Sequence, residues 1–241
     1  MRIAVVAAVA VLTVLAAPAA AQMSTGNGDQ MAYVHCLDGH RPTDYRISQC
    51  LRARDTGTGH RDDAGYEVIG LYIRQRAFDK ALADIDTALA RFDYLWAREV
   101  RAEVYAMTGR YDDAMADSAK AFDLATDDAW AYANRCEVRA IANRDLDQAL
   151  TDCNAAIAKH ERAPYFADRA LVHLRMGKLS EALADCNRAV DLDGRNDTAR
   201  FLRGVVEHKM GDTAAGDADI GRAQAHDIGI GEAPAAYGVM P

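Results

Sequence analysis

Small and apolar residues recur at helical spacing along most of the chain, in pairs of segments joined by short polar turns. The pattern is clearest between residues 163 and 196, where Gly177 separates two such segments. Ala170 precedes this glycine, and Ala182 and Ala189 follow it, so small side chains stand where two antiparallel helices would approach closely. Glycine also supplies the left-handed turn that often ends a helix. The pattern therefore predicts a helix, a tight turn and a second helix.

This helix-turn-helix unit repeats with a period of 34 residues. The third copy requires one inserted residue in the turn between Asn143 and Leu146, which a surface turn can absorb. The last copy is rich in glycine and lacks aromatic packing residues, so we expect it to be poorly packed. Five copies are predicted, at 62–94, 95–128, 129–162, 163–196 and 197–230.

The second copy shows the most regular pattern. It has Ala102, Tyr105, Gly109, Tyr111, Ala114 and Ala121 at positions 8, 11, 15, 17, 20 and 27 of the register. This pattern resembles the tetratricopeptide repeat (TPR) family. The resemblance implies an all-α fold, namely a right-handed α-solenoid of about five repeats, each of which buries its apolar face against its neighbours. It also implies a concave binding groove without a catalytic pocket.

The beginning of the chain predicts export. Arg2 precedes an apolar run from Ile3 to Ala17, and small residues up to Ala21 complete the pattern of a secretory signal peptide over residues 1–21. A membrane anchor is the alternative, but the run is shorter than the roughly 20 residues that span a bilayer. We therefore expect cleavage after Ala21 and a periplasmic or secreted protein, with a linker and N-terminal capping segment at 22–61 and a C-terminal tail at 231–241.

Five cysteines in an exported chain predict disulfide bonds. In the register, Cys136 and Cys153 face each other across the hairpin of the third repeat, and Cys36 and Cys50 stand in a similar relation within the capping segment. We therefore predict Cys36–Cys50 and Cys136–Cys153, with Cys186 free. The rival pair, Cys153 with Cys186, would have to bridge neighbouring repeats roughly 10 Å apart, beyond the usual limit of about 7 Å between Cα atoms.

Arginine and aspartate recur in step with the repeats. We expect bidentate ion pairs between the two series, since first and second helices face each other. An anion-binding groove lined by the arginines is the functional alternative. The arginines, at position 7, are Arg101, Arg135, Arg169 and Arg203, and the aspartates, three residues after position 20, are Asp84, Asp117, Asp152, Asp185 and Asp219.

Composition limits the possible partners and chemistry. The formal net charge is −8 and arginine alternates with aspartate along the helices, so nucleic acid is not an expected partner. Motifs for a nucleophilic serine or a phosphate-binding loop are missing from the sequence, and His35 and His40 give only a weak metal signal. We therefore predict no enzyme activity, no cofactor and no metal.

The resemblance also implies which side chains line the concave face, because first-helix positions 2, 5, 9, 12 and 13 do so in TPR proteins. Tryptophan and glutamate repeat there 34 residues apart, which suits a partner with basic and hydrophobic side chains. Alternatively, the tryptophans fill gaps between adjacent helices. The predicted binding residues are Trp96, Glu99, Glu103, Met107, Trp130, Glu137, Ile141 and Leu171.

The sequence thus predicts a non-catalytic scaffold or adaptor of the periplasm or cell envelope. It would bind a protein or peptide, unidentified from the sequence, in the concave groove, with no membrane span after signal cleavage. An enzyme accessory or small-molecule-binding envelope protein is the alternative, and a purely structural role is the third possibility.

Overall fold

The computed structural model describes residues 30–55, 61–125, 127–226 and 238–240, and all regular secondary structure in these ranges is helical. The predicted signal peptide, 1–21, lies outside the described residues. The chain divides into two compact units, one up to Gln75 and one from Arg76 onward. This boundary falls inside the repeat predicted at 62–94.

The first unit contains three described helices: α1 (30–37), α2 (Thr43–Asp55) and α3 (Arg61–Arg74). Helix α2 packs on α3, and its Ile47 shares a small core with Val68 and Leu71 of α3. The Cys36–Cys50 disulfide lies in this core, with 4.7 Å between the two Cα atoms. The capping segment therefore carries the predicted disulfide.

The second unit contains nine described helices. They are α4 (Phe78–Arg91), α5 (Leu95–Met107), α6 (Tyr111–Leu124), α7 (Ala129–Ala142), α8 (Leu146–Lys159), α9 (Ala163–Arg175), α10 (Leu179–Leu192), α11 (Asp197–Met210) and α12 (Thr213–His226). Helices α5 to α12 form four consecutive hairpins, and the second helix of each hairpin packs on the first helix of the next. The first helices α5, α7, α9 and α11 also contact one another in that order. This arrangement is the predicted α-solenoid, and we call the surface formed by these first helices the inner face.

Left-handed turn residues separate the helices of each hairpin. Gly109, Gly177 and Gly211 have φ angles of 77°, 73° and 93°, which only glycine adopts without strain. In the α7–α8 hairpin this conformation falls on Asn143 and Asp145 instead. The sequence suggested that the inserted residue lies in this turn, but the turn is not longer than the others. Helix α7 is one residue longer than α5 and α9, and its turn keeps three residues.

The last hairpin corrects the expectation of poor packing. Gly204 of α11 and Gly216 of α12 occupy positions 8 and 20, where alanine or cysteine stands in the preceding hairpins. A Cβ atom on Gly204 would lie only 2.7 Å from the carbonyl oxygen of Gly216. The two backbones therefore approach more closely than any larger residue would allow. Phe201, which is 3% exposed, contributes aromatic packing to this repeat.

The arginine and aspartate series form ion pairs across the hairpins. Arg135 donates from Nε and Nη2 to the two carboxylate oxygens of Asp152 at 2.8 and 2.6 Å, and Arg169 does the same to Asp185 at 2.8 and 2.6 Å. Arg101 binds both oxygens of Asp117, and Arg203 binds Asp219. Arg101 also binds Asp86 of α4. We call these four pairs the ladder.

The remaining cysteines lie in the main core of the second unit. Cys136 and Cys153 are joined across the α7–α8 hairpin, with 5.4 Å between their Cα atoms, as the register predicts. Cys186 is free and buried, and burial raises the pKa of its thiol to about 12. It therefore remains a small neutral core residue.

Only three residues of the C-terminal tail are described. Val239 is 2% exposed and belongs to the core of the second unit. Gly238 lies beside Arg175 of α9, because its Cβ position would be 4.0 Å from Nη1 of that arginine. Tyr237 lies outside the described residues. Among the described helices, none is long and apolar enough to cross a membrane.

Candidate functional site

A cavity of about 390 Å³ opens on the inner face. It is bounded by α5, α7, α9 and the start of α11, so consecutive hairpins contribute to it. Ala133 and Ala167 stand at position 5 of adjacent repeats, and their small side chains leave the space between the helices unfilled. The residues with functional groups that line it include Glu103, Trp130, Asn134, Glu137, Tyr165 and Asp168. We call this space the inner-face cavity.

Three carboxyl groups converge on the inner-face cavity. Glu103 comes from α5, Glu137 from α7 and Asp168 from α9. The pKa of Glu103 lies well above its usual value, because the protein encloses this carboxyl group and because Glu137 and Glu99 place negative charge near it. Enclosure raises the pKa of Glu137 to about 7. Asp168 also has a strongly raised pKa, because of enclosure and the charges of Glu137 and Glu103. The three carboxyl groups therefore repel one another when ionised.

Among the described residues, these carboxyl groups have no compensating cation. Over the described part of the chain, no arginine or lysine forms an ion pair with Glu103, Glu137 or Asp168, and no positive charge lowers their pKa values. One of the three carboxyl groups accepts a weak hydrogen bond: Nδ2 of Asn134 donates to Oε1 of Glu103 at 3.5 Å. The cavity therefore presents hydrogen-bond acceptors, and a cation that entered it would favour ionisation of the three carboxyl groups.

Asn134 and Glu99 add unsatisfied acceptors to this region. Asn134 lines the inner-face cavity with 4% of its surface exposed, and its Nδ2 donates to the backbone oxygen of Glu99 at 3.2 Å. This bond orients the amide so that Oδ1 has no hydrogen-bond partner in the structure's described ranges. Glu99 is also 4% exposed, its Oε1 lacks a partner in the same ranges, and burial together with Asp128 raises its pKa to about 7. A buried acceptor without a donor is costly.

Two aromatic rings form one side of the cavity. The indole of Trp130 meets the ring of Tyr165 edge to face, with centroids 6.1 Å apart. Asp128 caps helix α7 by accepting a bond from the backbone nitrogen of Trp130 at 2.7 Å, which fixes the tryptophan in the first turn. Trp130 remains 40% exposed, whereas Tyr165 is 2% exposed. The guanidinium of Arg162 lies 5.9 Å from the centroid of each ring.

The other predicted binding residues are distributed differently. Trp96 and Met107 are half-buried on α5, and Trp96 packs against Tyr94 at 5.7 Å between ring centroids. Ile141 and Leu171 are 3% and 4% exposed and belong to the core of the second unit. Of the eight predicted residues, the structure brings Glu103, Trp130 and Glu137 together around the inner-face cavity.

Sequence reasoning missed the residues at position 6. Asn134 and Asp168 both stand there, next to the positions that the family resemblance selects. A helical projection would have placed Asn134 one turn before Glu137, but the second and fifth repeats have Val100 and Leu202 at position 6. The repeat pattern therefore gave no reason to assign this position to the groove.

The ladder does not form an anion site in this structure. Each guanidinium group of the ladder already forms an ion pair with an aspartate of the same hairpin. These aspartates are Asp117, Asp152, Asp185 and Asp219. No group of histidine, cysteine, aspartate or glutamate side chains in the described ranges has the arrangement of a metal site. His35, for example, shares a hydrogen bond of 3.1 Å with the hydroxyl of Tyr45.

Solved structures with this fold are TPR proteins. The thermophilic TPR protein TTC0263 from Thermus thermophilus superposes with a TM-score of 0.60 at 19% identity, covering 72% of this chain and 96% of that protein. PilW, described as a widely conserved type IV pilus biogenesis factor, superposes with a TM-score of 0.56 at 18% identity, covering 73% and 86%. This protein is thus an α-solenoid with the TPR fold.

Sequence comparison gives more limited information. No family model matches the chain. Protein SGT1 homolog from Bos taurus is 31% identical over 77 residues, which is 32% of this chain and 23% of that relative. The chain thus matches less than a quarter of the length of this relative.

Proposed function

We propose that this protein is a non-catalytic scaffold or adaptor of the cell envelope that binds a protein or peptide on its inner face. The observation that carries the proposal is the inner-face cavity, where Glu103, Glu137 and Asp168 meet without a cation among the described residues and beside the exposed indole of Trp130. Such a surface is costly to maintain in a free protein. Because its acceptors and charge are unsatisfied, they favour a partner that supplies donors.

The fold supports binding over catalysis. Repeats of this kind stack so that first helices form an extended concave surface, and partners bind along it. TTC0263 and PilW share the fold, and PilW acts in pilus biogenesis according to its description. The raised pKa values of the cavity carboxyl groups arise from enclosure and mutual repulsion. A binding site for a cation accounts for such a cluster, and no catalytic role is needed to explain it.

Export is part of the proposal. Both disulfides, Cys36–Cys50 and Cys136–Cys153, fit an oxidising compartment such as the periplasm. The predicted signal peptide at 1–21 provides the route. Mass spectrometry of the protein purified from the envelope fraction should give an N-terminus at Gln22 and two disulfides. A full-length, reduced chain in the cytosolic fraction would contradict export.

Site-specific photocrosslinking tests the binding surface directly. A photoreactive phenylalanine analogue at position 130 should crosslink a partner in intact cells, because Trp130 is 40% exposed at the cavity. The same analogue at position 92 is the matched control, since Phe92 is 65% exposed and does not line the cavity. Equal crosslinking at both positions, or none at position 130, would contradict binding at the inner face.

Small-molecule binding is the second candidate, and the volume of the inner-face cavity favours it. A space of about 390 Å³ is within the range of small-ligand pockets. Native mass spectrometry of the protein purified from its own envelope would reveal a retained ligand. A stoichiometric small molecule lost in the Trp130→Ala variant would support this second function instead of the first.

A further inference from the structure

The inner-face cavity contains acceptors from three helices, and the described residues supply few donors to satisfy them. Glu103, Glu137 and Asp168 contribute carboxyl oxygens, and Asn134, which is 4% exposed and whose Oδ1 has no partner among the described residues, also lines the cavity. Carboxylates attract any cation, but the amide oxygen is an independent feature that requires a directional hydrogen-bond donor. The complementary group therefore carries both positive charge and N–H donors.

The aromatic rings favour a flat cation over a compact one. Trp130 and Tyr165 meet edge to face at the side of the cavity, and the indole remains partly exposed. A guanidinium stacks on such rings and presents five donors in one plane, whereas an ammonium offers a point charge with three donors. The protein's own Arg162 shows that these rings accept a guanidinium, with its Cζ atom 5.9 Å from both centroids. Within the described residues, Arg162 makes no ion pair with the cavity acids.

We propose that the inner-face cavity binds the side chain of an arginine presented by the partner, with Glu137, Asp168 and Asn134 accepting its hydrogen bonds and Trp130 stacking on its plane. This inference rests on the proposed function, and it specifies what the inner face recognises. The volume of about 390 Å³ accommodates one long side chain rather than a folded segment. The rest of the partner would then lie along the first helices outside the cavity.

The direct test uses the fluorescence of Trp130. In a Trp96→Phe background Trp130 is the only tryptophan, because the chain has two. Titration with Nα-acetyl-arginine amide should change this fluorescence saturably, with a Kd on the order of 1 mM. Nα-acetyl-citrulline amide has nearly the same shape but no charge, and it should bind at least about tenfold more weakly. Equal binding of the two probes, or no saturable change up to about 50 mM arginine amide, would overturn the proposal.

Variants assign the effect to the cavity. The double variant Glu137→Gln and Asp168→Asn should weaken arginine amide by about tenfold or more, although it removes mutual repulsion and so should fold at least as well as the wild type. The control Asp191→Asn neutralises an exposed carboxylate on α10 outside the cavity and should leave the titration unchanged. Unchanged binding in the double variant would overturn the assignment to these carboxyl groups.

Two further probes identify the source of the cation. Nα-acetyl-lysine amide should bind more weakly than the arginine probe, since it cannot stack as a plane. Putrescine represents a free polyamine, and tighter binding of putrescine than of arginine amide would replace the proposal with a small-amine site. Crosslinking of a partner at position 130 without any response to arginine amide would leave the proposed function intact and reject only the arginine pocket.

Discussion

Buried and half-buried carboxyl groups occur in two opposite surroundings in this protein. In the ladder, Asp152 and Asp185 have 5% and 8% exposed side chains, and each accepts two hydrogen bonds from an arginine of the same hairpin. In the inner-face cavity, Glu137 and Asp168 are enclosed on the neighbouring first helices without any cation among the described residues. The same residue types are therefore neutralised inside one hairpin and left uncompensated between hairpins.

This difference separates stability from recognition. A carboxylate that is paired and hydrogen-bonded within a repeat fixes the packing of its two helices, and removing its partner leaves an isolated buried charge. A carboxyl group with a raised pKa and no cation costs folding energy in the free protein and becomes favourable when a ligand supplies the cation. The two sets should therefore respond to substitution with opposite signs.

The largest expected effect is loss of a ladder arginine. Among the described residues, Arg169→Ala would leave Asp185 with Nε2 of His173 at 3.6 Å as its remaining ion-pair partner, and it should lower the free energy of unfolding by about 3 kcal/mol. Urea unfolding followed by circular dichroism measures this. A loss below about 0.5 kcal/mol would show that the ladder does not hold the hairpin.

The pH dependence of stability should reveal the uncompensated acids. The pKa values of Glu99 and Glu137 rise from 4.5 to about 7 in the folded protein, so the folded state binds more protons than the unfolded state between these values. The free energy of unfolding should therefore fall as the pH rises from 4.5 to 7, by about 2 kcal/mol after allowance for solvent screening. Urea unfolding at a series of pH values measures this.

The matching control is the double variant Glu99→Gln and Glu137→Gln, whose curve should be flatter over the same range. His173 has a lowered pKa, mainly because of burial, and acts in the opposite direction below its usual value of 6.5. The difference between the two curves removes this contribution. Identical curves would show that neither glutamate titrates abnormally.

A single neutral substitution in the cavity should stabilise the protein. Glu137→Gln removes a charge that repels Glu103 and Asp168, so the free energy of unfolding at about pH 8 should rise by about 1 kcal/mol. Asp191→Asn removes an exposed charge of the same sign and should have no comparable effect. Destabilisation by Glu137→Gln would mean that its carboxylate has a structural partner.

The smallest effect is expected at an exposed ion pair. Arg144 donates to Asp112, but their side chains are 49% and 90% exposed. Arg144→Ala should therefore change the free energy of unfolding by only about 0.5 kcal/mol or less. Thermal unfolding alongside Arg169→Ala gives the comparison, and a similar loss in both variants would remove the distinction between ladder and surface pairs.

The sequence predicted the fold well because the same helix-turn-helix pattern recurs in several repeats. Positions 8, 15 and 20 fix the hairpin, and the register correctly paired Cys136 with Cys153. It also predicted ion pairs between the arginine and aspartate series, of which Arg169 with Asp185 is one, without saying which residues pair. It failed where one repeat departs from the others. From the sequence, Gly204 and Gly216 were expected to weaken the packing of the last repeat. In the structure they permit a very close contact between the two helices, because the backbone of one helix fills the space that a side chain on the other would take.

The sequence by itself determined the elements and the contacts inside each hairpin, because these depend on residues 16 or 17 positions apart in a nearly fixed register. Only the tertiary structure decided which acids share a cavity. Glu103, Glu137 and Asp168 are brought together by the stacking of α5, α7 and α9, and Asp168 stands at a position that the repeat pattern leaves unassigned. Whether a carboxyl group meets a cation or another carboxyl group depends on that stacking, since electrostatic energy follows distance and enclosure in space.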